Sequence, residues 1–219
     1  MKPWKTIESV ATKEGALELR QRGDKDFLIV IDGRVLMTSA ERRSEEALAT
    51  LALAKLSTRS PRVLIGGLGM GYTLRAALDV LPKSARVTVV ELTAAVAAWC
   101  KGPLAVLTAN AVADPRVDIV IDDVSRVIGR TKRAFDAIII DLYEGPNPAT
   151  QDARDPFYGR AALARTHAAL VDGGVFSVWS EDPDPAFKRR FEAAGFEVSR
   201  HKLGSSRQHY VYLGHRIEP

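Results

Sequence analysis

Four groups of residues in this chain have the types and spacing that chemistry needs. The first is the glycine cluster in Arg62-Val63-Leu64-Ile65-Gly66-Gly67-Leu68-Gly69-Met70-Gly71-Tyr72-Thr73-Leu74-Arg75. An apolar run feeds it and a helix-like stretch follows. Gly67, Gly69 and Gly71 let the backbone take positive φ and approach a ligand closely. The helix behind them aims unpaired N–H groups at that ligand. The second is Glu91, twenty residues after Gly71, closing the apolar run Val87-Thr88-Val89-Val90. An acid there can accept hydrogen bonds from ribose hydroxyls; a first-turn acid for a helix starting near Thr93 is the alternative. The third is Asp122-Asp123, where one acid can cap a helix and the other reach an adenine, Asp123 being the adenine candidate. The fourth is Asp141, which follows Ala137-Ile138-Ile139-Ile140 and opens the irregular stretch Leu142-Tyr143-Glu144-Gly145-Pro146-Asn147-Pro148. A carboxylate between a strand end and a loop suits a general base or an amine-binding group, and Tyr143 and Glu144 lie within reach of the same chemistry. A plain turn former is the alternative for Asp141.

These residues share one rim if the elements between them form a parallel sheet. Strands are predicted at 62–66, 86–91, 117–122, 135–141 and 174–180, and helices at 72–81, 93–101, 123–130, 157–171 and 184–194. Near-continuous apolar strands imply a sheet covered on both faces, and ligands of such sheets sit beyond the strands' carboxyl ends. Segments 196–203 and 208–214 alternate without a helix between them, which predicts an antiparallel pair at one edge. Before the glycine cluster, residues 16–38 read as antiparallel β-structure around an Asp32-Gly33 turn. A helix is expected from Ser39 through Lys55, with Ser39 or Ser44 as its cap. The fold class is thus α/β, a doubly wound, mostly parallel Rossmann-like sheet. A short N-terminal β unit spans 1–38 and the nucleoside-binding domain 39–219.

Composition excludes several alternatives. With 219 residues and 46% hydrophobic content, the chain can bury one large core. No apolar run approaches the ~20 residues of a membrane span, and Met1-Lys2-Pro3-Trp4-Lys5 leads into polar sequence without a signal-peptide core. Cys100 is the single cysteine, which fits a reducing cytoplasm, and its apolar surroundings suit a small buried hydrophobe. The net charge of +4 is dispersed over Arg42-Arg43, Arg130 to Arg133 and Lys188 to Arg190. Without tracts or interleaved aromatics it argues against nucleic acid as a partner. His167, His201, His209 and His215 show no paired ligand spacing with one another or with Cys100, so no metal is expected. Trp99 is expected in the core, and Trp179, near the end of the fifth strand, is a candidate pocket wall.

The motifs resemble the spermidine synthase family of polyamine aminopropyltransferases, whose fold is class I methyltransferase-like. Gly67 through Arg75 aligns without gaps to the family's G-G-G-D-G-G-T-L-R. Glu91 matches its ribose acid, and Asp114-Pro115-Arg116-Val117 with Asp123 matches its D-P-R-V and following acid. Asp141, Glu144, Pro148, Ala149, Phe157 and Tyr158 match its loop D-x-x-D-P-x-G-P-A and F-Y at unchanged spacing, and Ser44-Glu45-Glu46-Ala47-Leu48 resembles Y-Q-E-M-L. The resemblance implies a nucleoside site built on Gly67, Gly69, Met70, Gly71, Glu91, Asp122, Asp123 and Asp141. The departures fall on the other substrate groups. Met70 replaces the acid that holds the aminopropyl amine of decarboxylated S-adenosylmethionine. Ser44 and Glu45 replace a polyamine-contacting tyrosine and a glutamine, and Leu203-Gly204-Ser205-Ser206-Arg207 stands where the family has P-T-Y-P-S-G.

Because an acid would repel the carboxylate of intact S-adenosylmethionine, Met70 favours that donor and methyl transfer to an amine or another small-molecule acceptor. Asp141 would be the base or orienting group, with Tyr143 and Glu144 in the catalytic group, and Glu45, Glu144 and Trp179 would line the acceptor site. Aminopropyl transfer from the decarboxylated donor is the second reading and needs a substitute acid, Glu45 or Glu144. A nucleoside-binding protein without catalysis and a Rossmann dehydrogenase are weaker alternatives; the Asp141 loop speaks against the former and the glycine spacing against the latter. Family members assemble through their N-terminal region, so a homodimer is expected.

Overall fold

The computed structural model describes residues 2–54, 56–146, 154–204 and 209–217. The N-terminal unit has four antiparallel strands in the order β1-β2-β3-β4: β1 (Lys5–Thr12), β2 (Gly15–Arg22), β3 (Asp26–Ile31) and β4 (Arg34–Thr38). β1 is absent from the sequence-based expectation. Its side chains are exposed over most of its length, so no apolar alternation marks it; pairing with β2 alone makes it a strand. Helix α1 (Arg43–Leu53) follows, shorter than predicted and with no side-chain cap. Ser39 does not cap it. Its Oγ accepts from the Phe27 N–H at 2.9 Å and donates to the Lys25 carbonyl at 3.1 Å, fastening the start of β3.

The remaining elements alternate as expected: β5 (Arg62–Gly66), α2 (Tyr72–Val80), β6 (Arg86–Glu91), α3 (Ala94–Lys101), β7 (Val117–Ile121), α4 (Val124–Gly129), β8 (Phe135–Ile140), α5 (Arg160–Ala169), β9 (Leu170–Ser180), α6 (Pro185–Ala193), β10 (Phe196–Leu203) and β11 (His209–Arg216). They build a seven-stranded sheet in the order β10-β11-β9-β8-β5-β6-β7. The pairs among β7, β6, β5, β8 and β9 are parallel, and β11 and β10 add antiparallel at one edge. β9 begins earlier than predicted. Leu170 pairs with Phe135, the register then skips to Val175 opposite Ala137, and the chain between them bulges through Gly173 at φ 72. A Gly-Gly step that reads as the loop before a strand is here a bulge inside one.

Each face of the sheet carries a core. Ala137 and Ile139 of β8 face one cluster with Leu48 and Ala52 of α1 and Leu74 and Ala77 of α2. Ile138 and Ile140 face the other, with Val127 of α4, Leu163 of α5, and Phe187 and Phe191 of α6. Strand alternation with both sides buried is why β8 reads as an unbroken apolar run. Chain order reverses between β5 and β8, so the cleft for a ligand opens there, at the carboxyl ends. Among the described residues, no helix is long and apolar enough to cross a membrane.

Candidate active site at the carboxyl rim of the sheet

The glycine loop is held by the strand ends around it. The Gly67 N–H donates to the Val90 carbonyl at 2.9 Å, and the Asp141 N–H to the Gly66 carbonyl at 2.8 Å, so β6, β5 and β8 are joined at one level. Gly67 has φ 94, and a Cβ there would lie 2.2 Å from the Asp141 carbonyl oxygen. No other residue type permits this approach. Gly71, at φ 83, is the N-cap of α2, and the first-turn N–H groups of that helix have no partner within it.

Glu91 is buried at the tip of β6. One carboxylate oxygen accepts from the Leu68 N–H at 2.9 Å and the other from the Thr93 N–H at 2.9 Å. Burial raises its pKa, against the pull of the surrounding backbone N–H groups, Thr93 and Leu68 foremost. Glu91 therefore braces the glycine loop and, as the helix-start reading expects, the start of α3. Each oxygen keeps lone-pair capacity for a ribose hydroxyl. Nearby, Leu92 and Ile121 leave 67% and 48% of their surface exposed at the ends of β6 and β7. A planar base could cover these apolar side chains, which no sequence motif singles out.

The two acids after β7 divide their work. Asp123 is the N-cap of α4; its Oδ1 accepts from the Ser125 N–H at 2.8 Å and Oγ at 2.7 Å. Asp122 accepts from the Asp123 N–H at 2.8 Å and pairs with Arg126 at 3.4 Å and Arg130 at 3.1 Å. Asp122 is thus turned to Arg126 of α4 and to Arg130 just past its end, and Asp123 retains only Oδ2 for a base.

Asp141 stands directly after β8. Its Oδ2 accepts from Thr73 Oγ at 2.5 Å, a residue of the first turn of α2. Burial, and then the negative charge of Glu45 from α1, push the Asp141 carboxyl up to about 7, while the Thr73 hydroxyl pulls it back. Glu45 accepts from Ser44 Oγ at 2.6 Å. Thr73 also reaches the Glu45 carbonyl at 3.4 Å, so α1, α2 and β8 meet at one acidic mouth. Among the described residues no cluster of potential metal ligands occurs.

A profile of the family described as "Spermine/spermidine synthase domain" matches residues 41–188, more than half of the chain. The chain belongs to this family. It is 28% identical to the polyamine aminopropyltransferase of Pseudomonas syringae pv. tomato, over 82% of this chain and 60% of that one. With the polyamine aminopropyltransferase of Bacillus subtilis the identity is 26%, over 84% of this chain and 64% of that one. The chain thus spans less than two thirds of these relatives' length. A spermidine synthase crystal structure in complex with the transition-state analogue AdoDATO superposes with a TM-score of 0.76 at 24% identity, over 96% of this chain and 72% of that one. Spermidine synthase from Thermotoga maritima gives 0.76 at 23% over the same shares. These two establish the shared fold.

Within this spermidine synthase family member, three expectations change. Met70 does not present its side chain to the cleft: it is fully buried in the core under α1 and α2. Its N–H donates to Met37 Sδ of β4 at 3.3 Å. Met37 also lies where a Cβ on Gly69 would come within 2.8 Å, so the N-terminal sheet closes on the glycine loop. Tyr143 and Glu144 turn away from Asp141. Tyr143 Oη donates to Glu14 at 3.0 Å and its ring lies 5.3 Å from the Arg34 guanidinium, while Glu144 stands 3.9 Å from Arg34 and is largely exposed. Of the three proposed catalytic side chains, Asp141 is the one hydrogen-bonded to the first turn of α2, behind the glycine loop. Asn147, Pro148 and Ala149 of the loop motif and Ser205, Ser206 and Arg207 lie outside the described residues. Cys100 and Trp99 are buried as expected. Cys100 Sγ donates to the Gly69 carbonyl at 3.2 Å, and burial pushes its thiol up to about 12. Thr73 and Met37 have no role in the sequence reading. Thr73 had a signal, its place in the first turn after Gly71; Met37 had none, because its contact crosses between the two sheets.

Proposed function

We propose that this chain transfers an aminopropyl group from decarboxylated S-adenosylmethionine to an amine, as its named relatives suggest, and that Asp141 is the base. The supporting observation is the pair of acids at the mouth: a carboxyl held near 7 beside a second carboxylate, next to a nucleoside-type glycine loop. The argument for methyl transfer rested on Met70, and its burial in the core removes that reason. A side chain outside the cleft neither repels nor attracts a donor's carboxylate.

The donor is a substrate whose nucleoside part fits the residues present: Glu91 for the ribose, Leu92, Ile121 and Asp123 Oδ2 for the base, and the N-terminal turn of α2 behind the sulfur. Asp141 takes a proton from the acceptor's ammonium, and the freed nitrogen lone pair attacks the methylene carbon bonded to sulfur. The new N–C bond forms as the C–S bond breaks. The sulfur keeps that electron pair, and methylthioadenosine leaves. A base with a pKa near the working pH is the best compromise for such a transfer, and in-line positioning supplies much of the remaining rate. Glu45 supplies the negative charge for the donor's own amine, in place of the acid absent at position 70. The lone, buried cysteine suits a cytoplasmic enzyme.

The test is to incubate the protein with an amine panel and either donor. Release of methylthioadenosine from the decarboxylated donor, lost in Asp141→Asn, is the expected result. Methyl transfer from the intact donor, with none from the decarboxylated one, would overturn the proposal.

A further inference from the structure

The acceptor side of the mouth contains two polar atoms that this mechanism leaves unused. Ile140 of β8 pairs in parallel register with Val178 of β9. Continuing that register places Asp141 beside Trp179, on neighbouring strands ~4.8 Å apart and on the same face. Trp179 packs against the core under α1, the helix that brings Glu45 to Asp141. Trp179 in turn pairs with Val211 of β11. His209, two residues before Val211, shares its face and meets the indole edge-on at 5.4 Å and 80°. A wall of two rings therefore continues outward from the base.

Trp179 Nε1 and His209 Nε2 are both shielded from solvent, and among the described residues neither has a hydrogen-bond partner. Buried polar atoms are nearly always paired, and leaving one unpaired costs free energy. Two on adjoining rings, next to a substrate mouth, fit a place that a ligand completes. Their chemistry restricts the ligand. An indole nitrogen donates and never accepts, so an ammonium arriving there could donate to a His209 Nε2 lone pair but would leave Trp179 Nε1–H facing another donor. An oxygen would not. A hydroxyl can accept from Trp179 Nε1–H while donating to a His209 Nε2 lone pair, and a carboxylate can accept from both rings.

We infer that Trp179 and His209 select an acceptor whose reactive amine lies at Asp141 and whose far end carries a hydroxyl or carboxyl oxygen rather than a second ammonium. This rests on the transfer reading only for which end of the acceptor meets Asp141. Trp179 and His209 would be specificity-determining residues; the sequence pointed to Trp179 as a wall but gave no chemistry for it.

The experiment is calorimetric binding of length-matched probes to the protein saturated with methylthioadenosine. The probes are 4-amino-1-butanol, 4-aminobutanoate and 1,4-diaminobutane. One of the two oxygen-bearing probes should bind about tenfold more tightly than the diamine, the worth of one net hydrogen bond. The better of the two identifies the oxygen. Trp179→Phe keeps the ring and removes the donor, and should bring the ratio close to one. His209→Phe is the second variant, should the first fold poorly. Tighter binding of the diamine to the unaltered protein, or an unchanged ratio in a folded Trp179→Phe protein, would overturn the inference. Because binding is read without turnover, absence of methylthioadenosine release in the transfer assay would count against the transfer reading alone.

Discussion

Replacing Asp141 by Asn should stabilise the protein at high pH while abolishing its activity. The Asp141 carboxyl is raised from 3.8 to about 7, chiefly by burial and then by Glu45. A carboxyl whose pKa is raised on folding favours the folded state fully only below the unfolded value. That contribution is lost as pH rises from about 4 through about 7, because the unfolded chain releases the proton readily and the folded one does not. Three units correspond to ~4 kcal/mol as an upper bound. Asp141 is partly open to solvent at the rim, so screening reduces this to about 2 kcal/mol. Asn is similar in shape, can accept the Thr73 hydrogen bond and never ionises. For a chain of this size 1 kcal/mol moves Tm by about 2–4 °C. The Tm of Asp141→Asn relative to the unaltered protein should therefore rise by about 4–8 °C between pH 4 and pH 8, measured by scanning calorimetry. Transfer should fall by about 10²–10⁴-fold, the usual worth of a positioned base. A Tm difference that is the same at both pH values would refute the claim that this carboxyl is held in its acid form by the fold.

Three further outcomes follow from the same geometry. Gly67→Ala places a Cβ 2.2 Å from the Asp141 carbonyl oxygen at a φ of 94; a loss of about 3 kcal/mol or more is expected, read as a lower denaturation midpoint and loss of nucleoside binding. Glu45→Gln removes a charge that raises the Asp141 pKa, so the acid limb of the pH–rate profile should move to lower pH while the KM for the decarboxylated donor rises about fivefold; an unmoved limb would show that Glu45 does not act on the base. Asp123→Ala removes the cap of α4, costing about 1 kcal/mol in thermal or denaturant unfolding, and should weaken donor binding by calorimetry; unchanged donor affinity would leave Asp123 with the cap alone.

What the sequence made legible depended on whether the signal was local. β5, β6, β7 and β8 are apolar runs ended by glycine or acid, and their order along the chain places Gly67, Glu91, Asp122 and Asp141 at one rim. Side-chain direction is a different matter. Met70 sits in a ligand-type loop, yet a methionine at 0% exposure belongs to the core, and only the tertiary packing of β4 and α1 reveals it. Asp122 and Asp123 are adjacent acids with the same composition signal. The geometry of α4 gives the cap to one and two arginines to the other. Tyr143 and Glu144 follow Asp141 in sequence, but the turns at Glu14 and Arg34 draw them to the N-terminal sheet. The same sheet supplies Met37 to the glycine loop. Two sets of contacts thus tie the N-terminal strands to both halves of the site: Met37 on the donor side, Glu14 and Arg34 on the loop that begins at the base. Exposed pairs such as Arg34–Glu144 contribute little stability individually. Their value lies in where they hold the chain, since a base misplaced by about 1 Å can cost about a hundredfold in rate.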